Sequence, residues 1–333
     1  FRRYPRILKK SLSLLAICLA FVQAKAEPKA DAIRVLFLGH ESEHHNSNKF
    51  YPMLAKGLGR DAIYFDYVTS VEEALGDAAY LNKFDALLLY ANHGKITPGQ
   101  WKNLKGYVEG GGGFVPVHCA SWCFGNEPGF DQLVGGRFAS HKTGIFTAKV
   151  IDPKHPAMAG VKEFEAWDET YKHRNHNKKD RQVLMVREVA EKGDNITELE
   201  PWTWVRTQGK GRVFYTASGH DERVWKQSAF HQLLKAGILW SVGDARKQSY
   251  EKFIAGRTPL KYEKRDNIPN YEKRSEPLPY QFPLSAKDSM DYTQAPVGFR
   301  LELFASEPDV INPIGLAWDE RGRLWVAETV DYP

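Results

Sequence analysis

Two segments of the chain end in side chains that can move protons or bind a metal ion. An apolar run over 111–117 is followed by His118 and Cys119, and a second run over 212–217 leads into Gly219-His220-Asp221-Glu222. A histidine beside carboxylates can serve as a general base with an orienting partner, and the same groups are common metal ligands. Carboxyl ends of parallel strands meet at one edge of a sheet. We therefore expect His118, Cys119, His220, Asp221 and Glu222 to be catalytic candidates in one crevice.

Further histidines follow other apolar runs. The loop after 33–38 carries His40, His44 and His45, and His93 follows the run 85–90. With His118 and His220, this places up to six of the eleven histidines near one edge of the predicted sheet. Such a concentration favours a metal or polar-substrate site. A divalent metal bound by His40, His118 and His220 is one possibility, and the sequence does not decide which of the six converge.

The segment Trp167-Asp168-Glu169-Thr170-Tyr171 places carboxylates beside aromatic rings. Aromatic faces next to carboxylates suit sugar rings, so Trp167, Asp168 and Tyr171, together with His40 and His93, are candidates for substrate binding. Glu169 could act with Glu222 as an acid/base pair. A solvated loop is the alternative interpretation of this segment.

Each catalytic candidate also has a structural interpretation. A free cysteine such as Cys119 is usually a small buried side chain, whereas a nucleophilic thiolate needs activation by a nearby base. A lone histidine such as His118 is often structural. Asp221 and Glu222 are favoured at a helix N-terminus by the helix dipole, an explanation that leaves His220 unaccounted for. Cys119 and Cys123 could pair in an oxidising compartment.

The elements that carry these residues alternate between strand and helix. Apolar runs at 33–38, 63–68, 85–90 and 114–117 indicate buried strands, and Thr97-Pro98-Gly99-Gln100 is typical of a helix start. This alternation predicts an α/β fold with a parallel sheet and helices on both faces. Later runs at 147–151 and 183–189 also predict strands. Gln208-Gly209-Lys210-Gly211 predicts a hairpin turn between two more strands, and 225–240 has helical periodicity.

Both ends of the chain differ in character from this domain. Residues 1–26 have the plan of an export signal, with a basic stretch, a short apolar run and an Ala24-Lys25-Ala26 cleavage site. We expect a protein that is exported, periplasmic or extracellular, with no membrane span after cleavage. Residues 246–296 are rich in charge and proline and predict a linker. Residues 297–333 predict two short strands joined by a tight turn, the spacing typical of a propeller blade. We therefore expect a truncated β-propeller and a longer parent protein.

The composition is that of a globular protein, with 42% hydrophobic and 26% charged residues. The formal net charge of +5 arises at the N-terminus: six of the 46 basic residues precede position 27, and none of the 41 acidic residues does. The remaining chain is close to neutral. Its charge therefore gives no argument for a nucleic-acid partner. The oligomeric state is left open.

Over residues 30–245 the chain resembles the ThuA-like (trehalose utilisation) family. The resemblance is carried by 35–40 (Val-Leu-Phe-Leu-Gly-His), 112–120 (Gly-Gly-Phe-Val-Pro-Val-His-Cys-Ala), 168–171 (Asp-Glu-Thr-Tyr) and 219–222 (Gly-His-Asp-Glu). It implies a flavodoxin-like fold similar to class I glutamine amidotransferases. In those enzymes the strand-to-helix elbow carries a cysteine and a later His-x-Glu completes a triad, a spacing that His220 and Glu222 fit. The alignment places His118, not Cys119, at the elbow.

Residues 297–333 resemble the opening of a propeller in exported planctomycete-type dehydrogenases of the sorbosone or glucose type. The motifs are 312–317 (Asn-Pro-Ile-Gly-Leu-Ala) and 322–328 (Gly-Arg-Leu-Trp-Val-Ala-Glu). The resemblance implies that haem c or a quinone would belong only to a region after Pro333.

Together these resemblances imply a role in carbohydrate metabolism. The first hypothesis is a domain that acts on a saccharide, such as a keto-sugar, through histidines and carboxylates. The alternatives are a non-catalytic sugar-binding module that serves the propeller, and amidotransferase-like thiol chemistry at Cys119.

Overall fold

A computed structural model describes residues 32–190, 197–271, 273–274 and 278–329. The expected export signal lies outside these residues. The strands in the described part of the chain are β1 Ile33–Leu38, β2 Ile63–Val68, β3 Ala86–Leu89, β4 Gly113–Pro116, β5 Arg137–Ser140, β6 Thr143–Thr147, β7 Lys149–Val150, β8 Glu165–Glu169, β9 Lys172–Arg174, β10 Arg181–Ala190, β11 Thr197–Gln208, β12 Gly211–Thr216, β13 Tyr262–Glu263, β14 Tyr280–Gln281, β15 Pro313–Trp318 and β16 Leu324–Glu328.

The helices in the same described ranges are α1 Ser47–Gly59, α2 Val71–Leu75, α3 Ala78–Leu81, α4 Pro98–Gly110, α5 Pro128–Val134, α6 Glu222–Trp225, α7 Ser228–Ser241, α8 Asp244–Gly256 and α9 Ala286–Met290, with short 3₁₀ turns at His118–Trp122 and Pro156–Met158. The predicted start of α4 is confirmed: Thr97 and Gln100 form a reciprocal capping box, with Pro98 in the first turn.

One large sheet has the strand order β2-β1-β3-β4-β12-β11-β10-β7. The first five strands are parallel, in the order typical of flavodoxin-like folds. The last three strands, β11, β10 and β7, each pair antiparallel with the strand before them in this order. The predicted α/β fold with a parallel sheet is therefore confirmed for the alternating half, and the predicted hairpin at 208–211 joins β11 to β12 in a sheet with a parallel majority. Short hairpin connections such as residues 208–211 force antiparallel pairing, because a parallel neighbour needs a longer crossover.

The core lies where the sheet meets two groups of helices. Helix α7 packs against β4 and β12 and also contacts α1, which gives the first group. Helices α2, α3 and α4 contact one another and form the second group. The strands β1 and β3 are almost wholly buried, as their unbroken apolar sequences require. This buried parallel set fixes the positions of the loops that follow β1, β3, β4 and β12.

Two small antiparallel ribbons accompany the main sheet. Strand β6 pairs with β8, and β5 pairs with β9. The strand expected at 147–151 is divided between β6 and β7. The ribbons matter for the site because Glu169 is the last residue of β8.

The segment predicted as a linker begins as helix α8 and then runs along the α/β domain. The Gln294 side chain donates to the Phe65 carbonyl, and the Val297 amide donates to the Asp66 carboxylate. Beyond it, β15 and β16 form an antiparallel hairpin with mostly exposed side chains. No helix among the described residues has the length and apolar character needed to cross a membrane.

Candidate functional site

Four potential metal ligands converge at the carboxyl edge of the parallel strands. One ligand atom from each of His45, His118, Glu169 and His220 lies within 4.8 Å of every other. His45 belongs to the loop after β1, His118 follows β4, and His220 follows β12, while Glu169 reaches the group from the end of β8. Of the five residues expected at this edge, His118 and His220 therefore lie together, and the carboxylate beside them is supplied from outside the main sheet.

Three of these atoms form a close triangle. The His118 Nε2 atom lies 3.2 Å from His45 Nε2 and 3.2 Å from Glu169 Oε2, and His45 Nε2 lies 3.5 Å from the same carboxylate oxygen. A point equidistant from all three atoms is about 1.9 Å from each, close to the bond lengths of about 2.0–2.2 Å that zinc makes to nitrogen and oxygen. The triangle therefore has the size of a metal-ligand face.

The outer nitrogens of two rings fix their tautomers. The Nδ1 atom of His118 lies 2.6 Å from the Ala217 carbonyl, which can only accept a hydrogen bond, so this Nδ1 carries the proton. His45 Nδ1 lies 2.9 Å from Asn92 Oδ1 and likewise donates. In the neutral form of each ring the lone pair of Nε2 is directed into the cluster, as in metal sites whose histidines donate their second N–H to a backbone or side-chain oxygen.

The protonation of the cluster follows from its burial and its single carboxylate. Burial lowers the pKa of His118 to about 3, so this ring is neutral at pH 7. Burial alone would raise the pKa of Glu169, but its contacts with His118, His220 and His45 hold that pKa well below the ordinary range. The site presents an ionised carboxylate and at least one neutral imidazole, the ligand forms that bind divalent metals.

His220 lies beside the triangle with an unsatisfied nitrogen. Its Nδ1 atom is 3.2 Å from Glu169 Oε1, is buried, and has no hydrogen bond in the described part of the chain. Burial lowers the pKa of His220, but the contact with Glu169 and its charge outweigh that effect, and the net pKa is raised. A buried ring nitrogen without a hydrogen bond, directed at a carboxylate, is suited to a fourth ligand or to a proton-transfer role.

Two of the ligands sit in strained backbone. His45 has φ 55° and His118 has φ 49°, in the left-handed region that costs a non-glycine residue about 1–3 kcal/mol and persists only where the surroundings impose it. Gly219, just before His220, has φ 133°, a conformation that glycine adopts freely. The turns after β1 and β4 are thus bent so that their histidine rings face the same point.

Several predicted site residues hold the ligands without joining them. His40 Nε2 donates to the His45 carbonyl and His93 Nε2 donates to the Gly39 carbonyl. Both rings therefore hydrogen-bond to the backbone of the loop after β1. The buried Asp168 carboxylate accepts from the amides of Gly219 and His220, and burial raises its pKa to about 7. His40 is not among the four converging ligands, and a substrate-binding role for these three residues stays a prediction.

The aromatic candidates have different positions. Tyr171 is buried and stacks on the His118 ring, with centroids 4.1 Å apart, so it cannot offer a face to a sugar. Trp167 is half-buried, its ring centroid lies 5.6 Å from that of His220, and the Arg223 guanidinium covers it at 3.5 Å. Trp167 is thus a partly exposed aromatic side chain beside the cluster.

The two carboxylates after His220 are not part of the cluster. Glu222 forms ion pairs with Lys49 and Lys226. Asp221 caps α6 and pairs with Arg223. The helix-terminus interpretation therefore describes Asp221, and the Glu169–Glu222 acid/base pair does not form because Glu222 is turned toward lysines outside the cluster.

Cys119 lies behind the elbow and away from solvent. Both Cys119 and Cys123 are fully buried free thiols. Burial raises the pKa of Cys119 well above its ordinary value and that of Cys123 to about 12. An activated nucleophile needs the opposite shift, so the arrangement opposes thiol chemistry, and the two cysteines do not pair.

Sequence reasoning left His45 among three histidines of one loop and did not identify His141. The His141 Nδ1 atom lies 3.4 Å from Glu169 Oε1, and its side chain is partly exposed. It lies in the turn between β5 and β6, where no strand-end pattern marks it. Only the pairing of β6 with β8, which ends at Glu169, could have indicated it.

The fold and the site define a flavodoxin-like α/β domain with a histidine-carboxylate cluster at the carboxyl edge of its sheet. Residues 34–241 match the family described as ThuA, trehalose utilisation, and the chain belongs to that family. Residues 285–333 match a domain family of unknown function, DUF7133. A comparison with curated proteins finds no match.

Two solved structures are similar in fold. A putative ThuA-like protein from Parabacteroides merdae has 19% sequence identity and a TM-score of 0.54, and the match covers 63% of this chain and 90% of that one. A putative ThuA-like protein from Bacteroides uniformis has 20% identity and a TM-score of 0.51, covering 64% and 91%. These similarities support the flavodoxin-like fold of the domain.

Proposed function

We propose that the ThuA domain binds a divalent metal ion through His45, His118, Glu169 and His220 and acts on a saccharide at that centre. The convergence of the four ligand atoms within 4.8 Å carries the proposal. Imidazole and carboxylate ligands together suit zinc, iron or manganese. The family's description gives the sugar-related role, and a keto-sugar is the substrate form that we propose, because its carbonyl and neighbouring hydroxyl oxygens are metal ligands.

The reaction class that fits these groups is metal-assisted proton transfer next to a carbonyl. A bound divalent ion supplies Lewis-acid polarisation of the substrate oxygen. His118 and His45, fixed by Ala217 and Asn92, orient the ligand face. With His220 used as a ligand, His141 is the proton carrier: its Nδ1 atom lies 3.4 Å from Glu169 Oε1 and its side chain is partly exposed, so the ring can take up or return a proton. Trp167 borders the entrance and offers apolar contact to a sugar ring.

A non-catalytic sugar-binding module at the same centre is the second candidate. It is favoured by the position of Trp167, whose ring lies beside His220 and carries the Arg223 guanidinium 3.5 Å from its centroid. The two candidates differ in one respect only, namely whether the saccharide is returned unchanged. We also retain, as part of the proposal, export of the protein and a link between residues 297–333 and a dehydrogenase-like propeller.

The test is metal analysis followed by saccharide binding. The purified chain should hold close to one divalent ion, and His220→Ala should hold less. Binding of keto-sugars, measured by calorimetry with and without chelator, should require the ion, and NMR of the recovered sugar separates catalysis from simple binding. His231→Ala is the matched control, because the His231 ring donates to the Trp225 carbonyl outside the cluster. A chain that takes up no divalent ion after reconstitution with zinc, manganese and iron would overturn the proposal.

A further inference from the structure

A chain of buried polar groups lies beneath the His118 turn and is not used by the proposed chemistry. Glu200 of β11 accepts hydrogen bonds from both the backbone amide and the Nδ1 atom of His173, at 3.0 and 2.8 Å. The Nε2 atom of His173 lies 3.0 Å from the Tyr215 hydroxyl. All three side chains are buried, so they form one connected network between β9, β11 and β12.

This network ends on the main chain of His118. The Tyr215 hydroxyl lies 3.1 Å from the His118 carbonyl and 3.0 Å from Ser121 Oγ, and the Ser121 hydroxyl also donates to the His118 carbonyl at 3.1 Å. The Tyr215 hydroxyl has one proton to donate. It goes to the His118 carbonyl in the arrangement in which His173, beside the Glu200 carboxylate, carries a proton on both ring nitrogens and donates from Nε2. In that arrangement two hydroxyl donors hold one carbonyl oxygen and every partner of the network is satisfied.

That carbonyl belongs to a residue that needs support. His118 has φ 49°, and a histidine keeps this left-handed conformation only when its surroundings impose it. Its ring is fixed separately, by Ala217 and by stacking on Tyr171. The ring contacts set the direction of Nε2, but the peptide that follows His118 depends on Tyr215 and Ser121.

We propose that Tyr215, anchored by His173 and Glu200, is a positioning residue that holds the strained turn at His118 and thereby keeps His118 Nε2 facing His45 and Glu169. The proposal rests on the proposed metal centre for its effect on metal affinity. The positioning itself is independent of any ion and can be measured in metal-free protein, so the two proposals fail separately.

The test compares Tyr215→Phe with Tyr107→Phe. Both substitutions remove one buried hydroxyl, and Tyr107 donates to the Phe84 carbonyl at 3.1 Å, outside the site. In metal-free protein, amide hydrogen exchange of a peptide covering 117–124 should be at least tenfold faster in Tyr215→Phe and unchanged in Tyr107→Phe. Affinity for Co²⁺, followed by its visible absorption, should fall on the order of tenfold in Tyr215→Phe alone, as with other residues that support metal ligands.

Wild-type exchange at 117–124 in Tyr215→Phe would overturn the proposal, whatever the metal result. If the wild-type chain binds no Co²⁺, the proposed function fails and the exchange experiment still decides the positioning role. If Tyr215→Phe does not fold, Ser121→Ala and Glu200→Gln take its place, since each weakens one contact of the network while the tyrosine ring stays packed. Faster exchange at the turn in both supports the proposal, and wild-type exchange in both contradicts it.

Discussion

The Nε2 atoms of His45 and His118 lie 3.2 Å apart, although the other nitrogen of each ring already donates its hydrogen to Asn92 or Ala217. Two lone pairs at this distance repel each other unless a proton or a cation lies between them. Glu169 adds a third electron-rich atom to the same point. The arrangement is thus favourable only when positive charge is shared, and a divalent ion supplies that charge without protonating the buried rings.

Metal binding should stabilise the fold through Glu169. At an ion concentration of about 100 times Kd, the free energy of unfolding should rise by about 2.7 kcal/mol, seen as an increase of Tm in a thermal melt. Glu169→Gln should lose most of this metal-dependent increase, because the site loses its only anionic ligand. Glu165→Gln, on the same strand but exposed, should keep it. Equal increases in both variants would count against Glu169 as a ligand.

In chelator, acidification should destabilise the protein through His118. Its pKa is about 3 in the fold and about 6.5 in the unfolded chain. Below pH 6.5 the unfolded chain takes up the proton first, so the free energy of unfolding falls as the pH falls. Between pH 6.5 and 5 the His118 contribution is about 2 kcal/mol. His118→Asn, which suits the left-handed backbone, should lose less stability over this range in urea titrations.

The comparison of slopes isolates His118 from its neighbours. Asp168 and His220 have raised pKa values and act with the opposite sign, but both remain in the variant. Identical pH dependence of the wild type and His118→Asn would show that the His118 ring is protonated in the folded protein well above pH 3.

Glu222→Gln should leave metal binding unchanged. Its carboxylate pairs with Lys49 and Lys226 at the surface, and exposed pairs of this kind contribute little. Metal affinity and Tm should both match the wild type. Loss of affinity comparable to that of Glu169→Gln would place Glu222 in the cluster in solution.

The thiols of Cys119 and Cys123 should be protected from alkylation in the native protein. Both are fully buried, and burial raises the pKa of each, so little thiolate is present at pH 8. Iodoacetamide labelling, located by peptide mass spectrometry, should occur only as fast as the chain unfolds. Rapid native labelling of Cys119 would restore the thiol hypothesis.

Gly237→Ala should destabilise the domain. A Cβ atom at Gly237 of α7 would lie 2.5 Å from Phe214 Cδ1 of β12, and that ring is fully buried. Overpacking of this kind costs about 1–3 kcal/mol, more than the helix propensity gained. Gly106→Ala in α4 meets nothing within 4 Å and should stabilise by about 0.5–1 kcal/mol. Urea midpoints that move in the reverse order would contradict the packing described here.

The strand ends could be found from sequence, because buried parallel strands are long apolar runs and their final residues are polar. This reasoning identified His118 and His220, and the paired carboxylates of the aromatic segment identified Glu169. It could not choose His45 over His40 as a ligand. That choice depends on which ring donates a hydrogen bond to the backbone of the loop after β1, and this is decided only in the folded structure. It also placed Glu222 in the site. The partner that turns Glu222 away is Lys49, 173 residues earlier in the chain, and no local sequence pattern indicates such a distant ion pair.

The added antiparallel strands were only partly predictable. The hairpin over 208–211 fixed the pairing of β11 and β12, and its turn residues are recognisable. The ribbon of β6 and β8 has no such marker, since β7 and a 3₁₀ turn lie between its strands along the chain. Register between distant strands is set by tertiary packing, and with it the arrival of Glu169 and His141 at the cluster.

The four ligands are far apart along the chain, and this separation links the chemistry of the site to the folding of the domain. An ion bound to them would close loops of 73 residues and then, twice, of 51. It would act as a reversible cross-link that ties four segments together, and the unfolded chain offers no comparable site. Loss of the ion would therefore remove a tether that restricts opening of the parallel half of the sheet. Metal supply would then set how long the domain stays folded, in addition to whether it is active.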